Sequence, residues 1–240
     1  MPVQISVEGA YDIHVHTHPC LFPRLCDDRE AVSASAAAGL GGMMLKCHHE
    51  STVSRARALQ QEFPDFKVFG GIVLNSYVGG INPAAAEAAL RMGAKEVWMP
   101  TIDAANHARA HGSRGVYDVQ SSGSAQTVEG GVTVLRDGRL SSETHEVLEL
   151  VARYDTILGT SHLDHEEIFQ VVQAARQAGV KKILITHPYF KVPNLELNQL
   201  RELVALGAMA EFGYCTVSPM WAYASITKIV ASVKELGPDN

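Results

Sequence analysis

Short apolar runs alternate with longer alanine- and leucine-rich stretches along most of the 240-residue chain. The apolar runs are continuous rather than alternating, which is typical of strands covered by helices on both faces. They predict seven strands, at residues 11–16, 42–47, 67–74, 95–100, 156–161, 182–187 and 208–214. Helices are predicted at residues 28–38, 51–62, 83–92, 142–153, 165–178, 195–206 and 224–236. Strands that alternate with helices in this way indicate βαβ units and a parallel sheet.

Histidines lie at the ends of three of these predicted strands. His14 and His16 are two residues apart, so the alternation of side chains along a strand places them on one face. His162 and His187 come at the ends of the fifth and sixth strands. Neutral imidazole is the commonest protein ligand for zinc, and it also suits iron, nickel and copper. The four histidines therefore predict a metal site.

The placement of these ligands favours a barrel over an open sheet. Active sites of β/α barrels form at the carboxyl ends of several strands, whereas a doubly wound sheet gathers its ligand at one switch point. No Gly-x-Gly-x-x-Gly or Walker loop follows the first strand, which argues against a nucleotide fold. We therefore expect an α/β fold, a TIM-like (β/α) barrel with seven recognisable βα units.

One long connection, between the fourth and fifth strands, interrupts the alternation of predicted strands and helices. Residues 103–141 include a Ser-, Gly- and Gln-rich stretch at 119–131 and an Asp-Gly pair at 137–138 that is typical of a hairpin turn. A connection of this length at the rim of a barrel is usually a lid, a binding loop or a flexible segment. His107 and Arg109 within it are candidates for binding an anionic substrate, and a solvated loop is the alternative reading.

Composition and charge narrow the class of protein. The chain is expected to form a single domain, 1–240, because it is 46% hydrophobic and 19% charged, as ordinary globular proteins are. Its net charge of −6 argues against nucleic acid and anionic membranes as partners. The sequence has neither an apolar run of about 20 residues nor an N-terminal signal peptide. A cytoplasmic protein that acts on a small molecule is therefore expected.

Four cysteines are scattered along the chain without a Cys-x-x-Cys pair. They are interpreted as reduced thiols, in keeping with a cytoplasmic location. Cys20 and Cys47 fall near the histidines in the sequence, where metal ligation and apolar packing are the two interpretations.

The order of the histidines resembles the amidohydrolase superfamily of metal-dependent β/α barrels. In both, His-x-His lies on the first strand and a further histidine follows each of strands five and six. Five short phrases resemble a subgroup known only as a domain of unknown function: LKCHHE at 45–50, WMPTID at 98–103, DGRL at 137–140, SHLDHEE at 161–167 and ITHP at 185–188. This similarity covers nearly all of the chain. It implies that His14, His16, His162 and His187 are the metal ligands.

Two features depart from the superfamily pattern. Members often carry a bridging lysine, carboxylated at its amine, at the end of strand four, where this chain has Met99-Pro100-Thr101. The nearest lysine is Lys46 on the second strand, which would bridge two metals if carbamylated or hold a substrate carboxylate if unmodified. The superfamily aspartate of strand eight also has no counterpart, because only seven strands are predicted. Strand eight is either missing or replaced by a seven-stranded closure, as in the related polymerase-and-histidinol-phosphatase domain.

Two residues are candidates for catalysis. Glu211, at the end of the seventh strand, is the best carboxylate for accepting a proton. Lys46 ends an apolar run, and a lysine that enters a barrel mouth must be paired, bound to substrate or modified. His18, His48 and Tyr189 lie close in sequence to these residues or to the predicted ligands and are further candidates for substrate binding.

A metal-dependent hydrolase is the function that these features favour, with metal-activated water attacking a small amide, ester or lactone. A metal-dependent decarboxylase of an aromatic or unsaturated acid is the first alternative, and a non-catalytic metal-binding barrel is the second. The expected cofactor is one or two divalent transition-metal ions, zinc first and manganese or iron otherwise. A barrel that lacks one strand exposes unpaired edges, so a homo-oligomer is also expected.

Overall fold

Seven parallel strands form one curved sheet in the computed structural model, which describes residues 6–117 and 130–240. The order of the sheet follows the chain, and two further short strands form a separate antiparallel hairpin. Within these residues the strands are β1 (Tyr11–Val15), β2 (Gly42–Leu45), β3 (Lys67–Val73), β4 (Glu96–Trp98), β5 (Leu135–Arg136), β6 (Arg139–Leu140), β7 (Ile157–Gly159), β8 (Lys182–Thr186) and β9 (Met209–Glu211). The predicted TIM-like α/β fold with seven βα units is confirmed.

Helices connect the strands and cover the outer face of the sheet. In the described parts of the chain they are α1 (Asp28–Ala37), α2 (Val53–Glu62), α3 (Pro83–Met92), α4 (Ala105–His111), α5 (Ser142–Arg153), α6 (His165–Gln177), α7 (Leu197–Ala205) and α8 (Ile226–Leu236). Short polar side chains begin five of them by accepting a hydrogen bond from a backbone N–H three residues on: Asp27, Asn82, Ser141, Asp164 and Ser225. None of these helices has both the length and the apolar character that crossing a membrane requires.

A small apolar cluster fills the inside of the barrel below its carboxyl end. Met44 on β2, Val73 on β3 and Trp98 on β4 form this cluster, and all three are buried. Glycines on the neighbouring strands leave room for the indole of Trp98. A Cβ atom at Gly71 would lie 2.5 Å from the ring, and one at Gly159 would lie 2.4 Å from it. Trp98 therefore forms a floor beneath the residues at the strand ends.

The barrel is open between β1 and β9, the two edge strands. Among residues 6–117 and 130–240, no backbone pairing joins these strands and no eighth barrel strand lies between them. A side-chain contact spans the opening instead, because Oε1 of Glu211 on β9 lies 2.5 Å from Nδ1 of His14 on β1. The prediction that strand eight is missing is confirmed, and residues from the two edges meet at the opening.

The long connection after β4 contains a helix as well as the predicted hairpin. Asp137 and Gly138 join β5 to β6, with φ angles of 52° and 76° that suit a two-residue hairpin turn. Helix α4 was not predicted, because its seven residues are mostly polar and carry no apolar period. The polar stretch predicted at 119–131 lies outside the described residues as far as residue 129.

The homo-oligomer stays a prediction, and exposed apolar side chains near the open edge are the place to test it. Tyr214 and Met220 are 75% and 80% exposed, and unpaired strand edges invite association. We expect the 25.9 kDa chain to sediment as a dimer or larger species, and Met220→Asp to shift it toward the monomer. Met92→Asp, at an exposed position on α3, is the matched control and should leave the sedimentation coefficient unchanged. A monomeric wild-type protein at micromolar concentration would contradict this prediction.

Candidate metal centre and active site

Four histidines from three strands converge at the carboxyl end of the barrel. His14 lies on β1 with His16 just beyond it, and its ring centroid is 5.2 Å from that of His16. His187 follows β8, with its ring centroid 5.7 Å from that of His14. His162, beyond the end of β7, completes the group at 5.1 Å from His187. A positive φ of 31° at His187 turns the chain sharply at the strand end, a conformation that few residues other than glycine adopt.

Glu211 sets the orientation and the tautomer of His14. Because its carboxylate lies 2.5 Å from Nδ1 of His14, that nitrogen carries the proton and donates it to the carboxylate. The lone pair is then on Nε2, which lies 3.2 Å from Nζ of Lys46. Carboxylate–histidine pairs of this kind orient metal ligands in proteins. The contact makes Glu211 a positioning residue for His14, and its predicted role as a proton acceptor stays a prediction.

A second chain of hydrogen bonds sets the tautomer of His162. The carbonyl oxygen of Val116 accepts a hydrogen bond from Nε2 of His107 at 2.7 Å, so Nδ1 of His107 is an acceptor. That atom lies 2.9 Å from Nδ1 of His162, which must therefore donate. In the neutral ring of His162 the lone pair is then on Nε2. His107, predicted to bind substrate, instead stands behind a predicted metal ligand.

The remaining two histidines have nitrogen atoms without partners. Nδ1 of His16 and Nδ1 of His187 are both buried and accept or donate no hydrogen bond within the described residues. Burial lowers the pKa of His16, His162 and His187 well below the usual value, so these rings are neutral at pH 7. Neutral imidazoles with available lone pairs are what a divalent transition metal requires. The four residues therefore fit a metal ion.

Lys46 lies in the same pocket, although it is only 1% exposed. Its Nζ atom is 4.9 Å from the ring centre of Trp98, in addition to its contact with His14. Burial lowers its pKa to about 8, against the opposing effect of the carboxylates of Glu211 and Glu96. Glu96 is buried as well, and neither of its oxygens has a partner among the described residues. Burial raises the pKa of Glu96 well above the usual value of a carboxyl group.

His48 is held by two polar residues that were not predicted. Its Nδ1 atom lies 2.8 Å from Oγ1 of Thr101, and its ring stacks on His16 with centroids 4.5 Å apart. Asn75 donates from Nδ2 both to Thr101 Oγ1 and to the carbonyl oxygen of His48. Asn75 and Thr101 each follow a predicted strand directly, and that position is the signal in the sequence that would have identified them.

A cavity of about 910 Å³ opens over this centre. Its lining includes the four histidines, Lys46, His48 and Glu211. Tyr117, Phe190 and Trp221 form an aromatic wall in the same lining, in which the Trp221 ring is 5.5 Å from each of the other two. The Phe190 ring is also 5.1 Å from that of His187. Arg24, from the loop between β1 and α1, also reaches the cavity and was not predicted. The volume and lining suit a small organic molecule.

Besides His107, three further predicted substrate-binding residues lie outside the described lining of this cavity. His18 is exposed, and its Nε2 accepts from the backbone N–H of Arg24 at 3.1 Å. Arg109 is exposed and pairs with Asp164, the residue that caps α6. Tyr189 is buried in the core, where its hydroxyl lies 2.6 Å from Oγ of Ser232 on α8. These contacts give all three residues structural partners.

A second group of possible ligands lies beside the histidines. Sγ of Cys20, Sγ of Cys47 and Nδ1 of His49 lie within 4.8 Å of one another. Two thiolates and one imidazole are a known donor set for zinc, with the fourth position left open. None of the four cysteines forms a disulfide in the structure, and their reduced state stays a prediction. The group offers a soft-metal site whose occupancy is separable by mutation from that of the histidines.

Comparison with protein families places most of the sequence in one of them. A family model described as "Family of unknown function (DUF6282)" matches residues 9–211. No curated protein matches the sequence.

Several solved structures share the fold. The probable dipeptidase PvdM from Pseudomonas aeruginosa is 10% identical over 84% of this chain, with a TM-score of 0.55. This chain spans only 58% of the length of that dipeptidase. The phosphotriesterase homology protein from Escherichia coli is 11% identical over 97% of this chain and 78% of its own, with a TM-score of 0.51. The 2,6-dihydroxybenzoate decarboxylase from Rhizobium has the same identity, coverage of this chain and TM-score, over 85% of its own length.

These structures belong to the amidohydrolase superfamily, and the resemblance predicted from the histidine pattern is confirmed at the level of the fold. Identities of 10–11% show the fold alone. The reaction and the substrate have to be inferred from the residues of the site.

Proposed function

This chain belongs to the DUF6282 family of unknown function, and on that premise we propose that it is a metal-dependent hydrolase of small amides, esters or lactones. The observation that carries the proposal is the tautomer arrangement of the histidines. The Nδ1–H groups of His14 and His162 donate hydrogen bonds to Glu211 and His107, which leaves a lone pair on each Nε2. Histidines that bind metals in proteins almost always donate their other ring N–H to a carboxylate or another acceptor in this way.

The ligand set suits one or two divalent ions, zinc first and manganese or iron otherwise. His14, His16, His162 and His187 would hold the metal, which supplies activation of water and polarisation of a carbonyl when bound. Lys46 presents its amine to the same centre. Because its pKa is about 8, the ammonium form is available at pH 7 to give a proton to a leaving group.

The decarboxylase alternative is supported by two observations. The aromatic wall suits a flat apolar substrate, and one protein of the same fold is a decarboxylase of 2,6-dihydroxybenzoate. In that reaction the ammonium of Lys46 would pair with the substrate carboxylate. The non-catalytic alternative has the same metal site but no turnover.

Metal analysis followed by a substrate screen tests these functions. Protein purified without a metal-affinity tag is expected to hold one or two equivalents of zinc, manganese or iron per chain. Hydrolysis of at least one small amide, ester or lactone should stop on chelation and return when the metal is restored. Release of carbon dioxide from aromatic acids without hydrolysis would favour the decarboxylase. Metal binding without any turnover would favour the non-catalytic barrel, and a protein that binds no metal would contradict the proposal.

Glu211→Ala is expected to weaken metal binding about 10- to 100-fold, because Nδ1 of His14 loses the acceptor that orients the ring. Glu211→Gln should retain part of the affinity, since an amide oxygen still accepts a hydrogen bond. The dissociation constant of the metal, measured by competition with a chromophoric chelator, checks both variants. Unchanged metal affinity in both, together with a large loss of turnover, would instead support Glu211 as the proton acceptor of the reaction.

A further inference from the structure

We propose that Arg24 binds a carboxylate group of the substrate, so that the site takes small carboxylic acids with an apolar or aromatic body. Arg24 lines the same cavity as the four histidines. This inference names the substrate class of the proposed hydrolase and rests on that proposal for the reaction. The binding of the carboxylate can be tested separately, with no turnover.

The unpaired edge of the Arg24 guanidinium carries the inference. Nε and Nη2 are both buried, and neither has a hydrogen-bond partner among residues 6–117 and 130–240. These two nitrogens share one edge of the planar group, so their N–H bonds point the same way. A carboxylate accepts such a pair with its two oxygens, at about 2.7–2.9 Å each. Because buried donors without partners are costly, a bound oxyanion is the group that this edge fits.

The loop between β1 and α1 holds Arg24 by contacts that leave this edge available. The backbone N–H of Arg24 donates to Nε2 of His18 at 3.1 Å, which closes the loop upon itself. The central carbon of the guanidinium lies 5.6 Å from the ring centre of Phe22, within the range of a cation–π contact. One contact uses the backbone and the other is made with an aromatic ring, so neither is a hydrogen bond to a guanidinium nitrogen. An arginine fixed in this way needs little ordering when a ligand binds.

No acidic side chain of the described cavity neutralises Arg24. The cavity is lined by two carboxylates, Asp12 and Glu211, and both are engaged with His14. Asp12 accepts from the backbone N–H of His14 at 3.1 Å, and Glu211 accepts from its ring. Arg24 lines the cavity together with His16 and His48. An anion held by Arg24 therefore lies beside the predicted metal ligands.

The aromatic wall of the cavity indicates what the rest of the ligand is. Tyr117, Phe190 and Trp221 present rings to the cavity, and the Tyr117 ring also lies 5.5 Å from that of Phe22 beneath the guanidinium. A planar or apolar group would pack against these rings while its carboxylate pairs with Arg24. The part of the substrate that reacts is then the part that reaches His16 and Lys46.

Binding of benzoate, benzamide and inorganic phosphate, measured by calorimetry, tests the inference. The protein is used as purified and again after chelation, so that an anion bound to a metal is distinguished from one bound to Arg24. In both preparations benzoate should bind at least tenfold more tightly than the uncharged benzamide. Arg24→Gln should weaken benzoate binding by about tenfold or more, the size expected for a hydrogen bond to a charged group. Arg24→Lys keeps the charge but not the two parallel donors, and should recover only part of the affinity.

Arg29→Gln is the matched control, because Arg29 is 68% exposed on α1 and pairs with Glu62 away from the cavity. It should bind benzoate as the wild type does. Equal benzoate affinity in folded Arg24→Gln and wild type would overturn the inference, as would equal affinity for benzamide and benzoate. Loss of all benzoate binding on chelation would also overturn it, and tighter binding of phosphate would overturn the carboxylate assignment. Binding that depends on Arg24 in a protein without turnover would support the inference while contradicting the proposed function.

Discussion

His16→Ala is expected to abolish metal binding and to lower kcat/KM by more than about a thousandfold, about 4 kcal/mol of transition-state stabilisation. His16 is partly buried and neutral, and its buried Nδ1 has no partner within the described residues, so the substitution removes a metal ligand but no hydrogen bond of that atom. Its ring stacks on His48, and some loosening of His48 is also expected. Metal content after gel filtration and kcat/KM on the best substrate of the screen are the measurements.

His145→Ala is the matched control for this variant. His145 is exposed on α5, on the outside of the barrel, so metal content and kcat/KM should remain those of the wild type. Circular dichroism would show that both variants are folded. A His16→Ala protein that keeps its full metal content would remove His16 from the ligand set and would leave the metal centre to the other three histidines.

Lys46→Met is expected to lower kcat/KM by at least about a hundredfold, the usual contribution of a positioned acid or base. Methionine is apolar and of similar length, so it fills the space above Trp98 without supplying an amine. Metal content distinguishes the two predicted roles of this lysine. An unmodified lysine leaves the metal content unchanged, whereas loss of one ion of two would indicate that Lys46 is carbamylated and bridges them. Unchanged turnover would contradict both roles.

The same variant is expected to be more stable than the wild type when the metal has been removed. Burial lowers the pKa of Lys46 from 10.5 to about 8, so the unfolded chain binds the proton more tightly than the folded protein. The lysine therefore destabilises the fold progressively as the pH falls from 10.5 to about 8, and by a constant amount below that. This difference corresponds to about 3 kcal/mol.

Urea unfolding of the chelated proteins at pH 7 and pH 10 measures this effect. Lys46→Met should unfold at higher urea than the wild type at pH 7, and the gap should narrow at pH 10. Lys182→Met is a suitable control, because Lys182 is half exposed and its amine bonds to Asp155 at the outer surface. A gain in stability that does not change with pH would show that packing, and not the charge of Lys46, is its cause.

Local patterns were sufficient to predict most elements of the fold. The apolar runs and the polar residues that begin the helices act over a few residues, so the strands and seven of the helices could be assigned from sequence. Helix α4 could not, because its polar composition carries no period. Predicted strand ends extended beyond the observed ones, as at 42–47 against Gly42–Leu45, because paired and unpaired residues at a barrel rim have similar composition.

Some features of the candidate site could likewise be predicted from the sequence, and others could not. His14, His16, His162 and His187 could be identified because their positions at strand ends are a local feature, and parallel strands bring such ends together. The nitrogen of each ring that faces the centre could not be identified from the sequence, since it depends on hydrogen-bond partners that are far away along the chain. Glu211 is 197 residues from His14, and His107 is 55 residues from His162.

Arg24 is the clearest example of a residue whose role could not be predicted from the sequence. In the sequence it is one arginine in a polar loop, with no period or spacing that separates it from the others. Only the folded chain buries its Nε and Nη2 atoms in the cavity and engages both nearby carboxylates elsewhere. The sequence determined the fold class and the four histidines through short-range periodicity. The orientation of the rings and the unpaired edge of Arg24 were decided by tertiary contacts, because hydrogen bonding between distant segments leaves no periodic trace in the sequence.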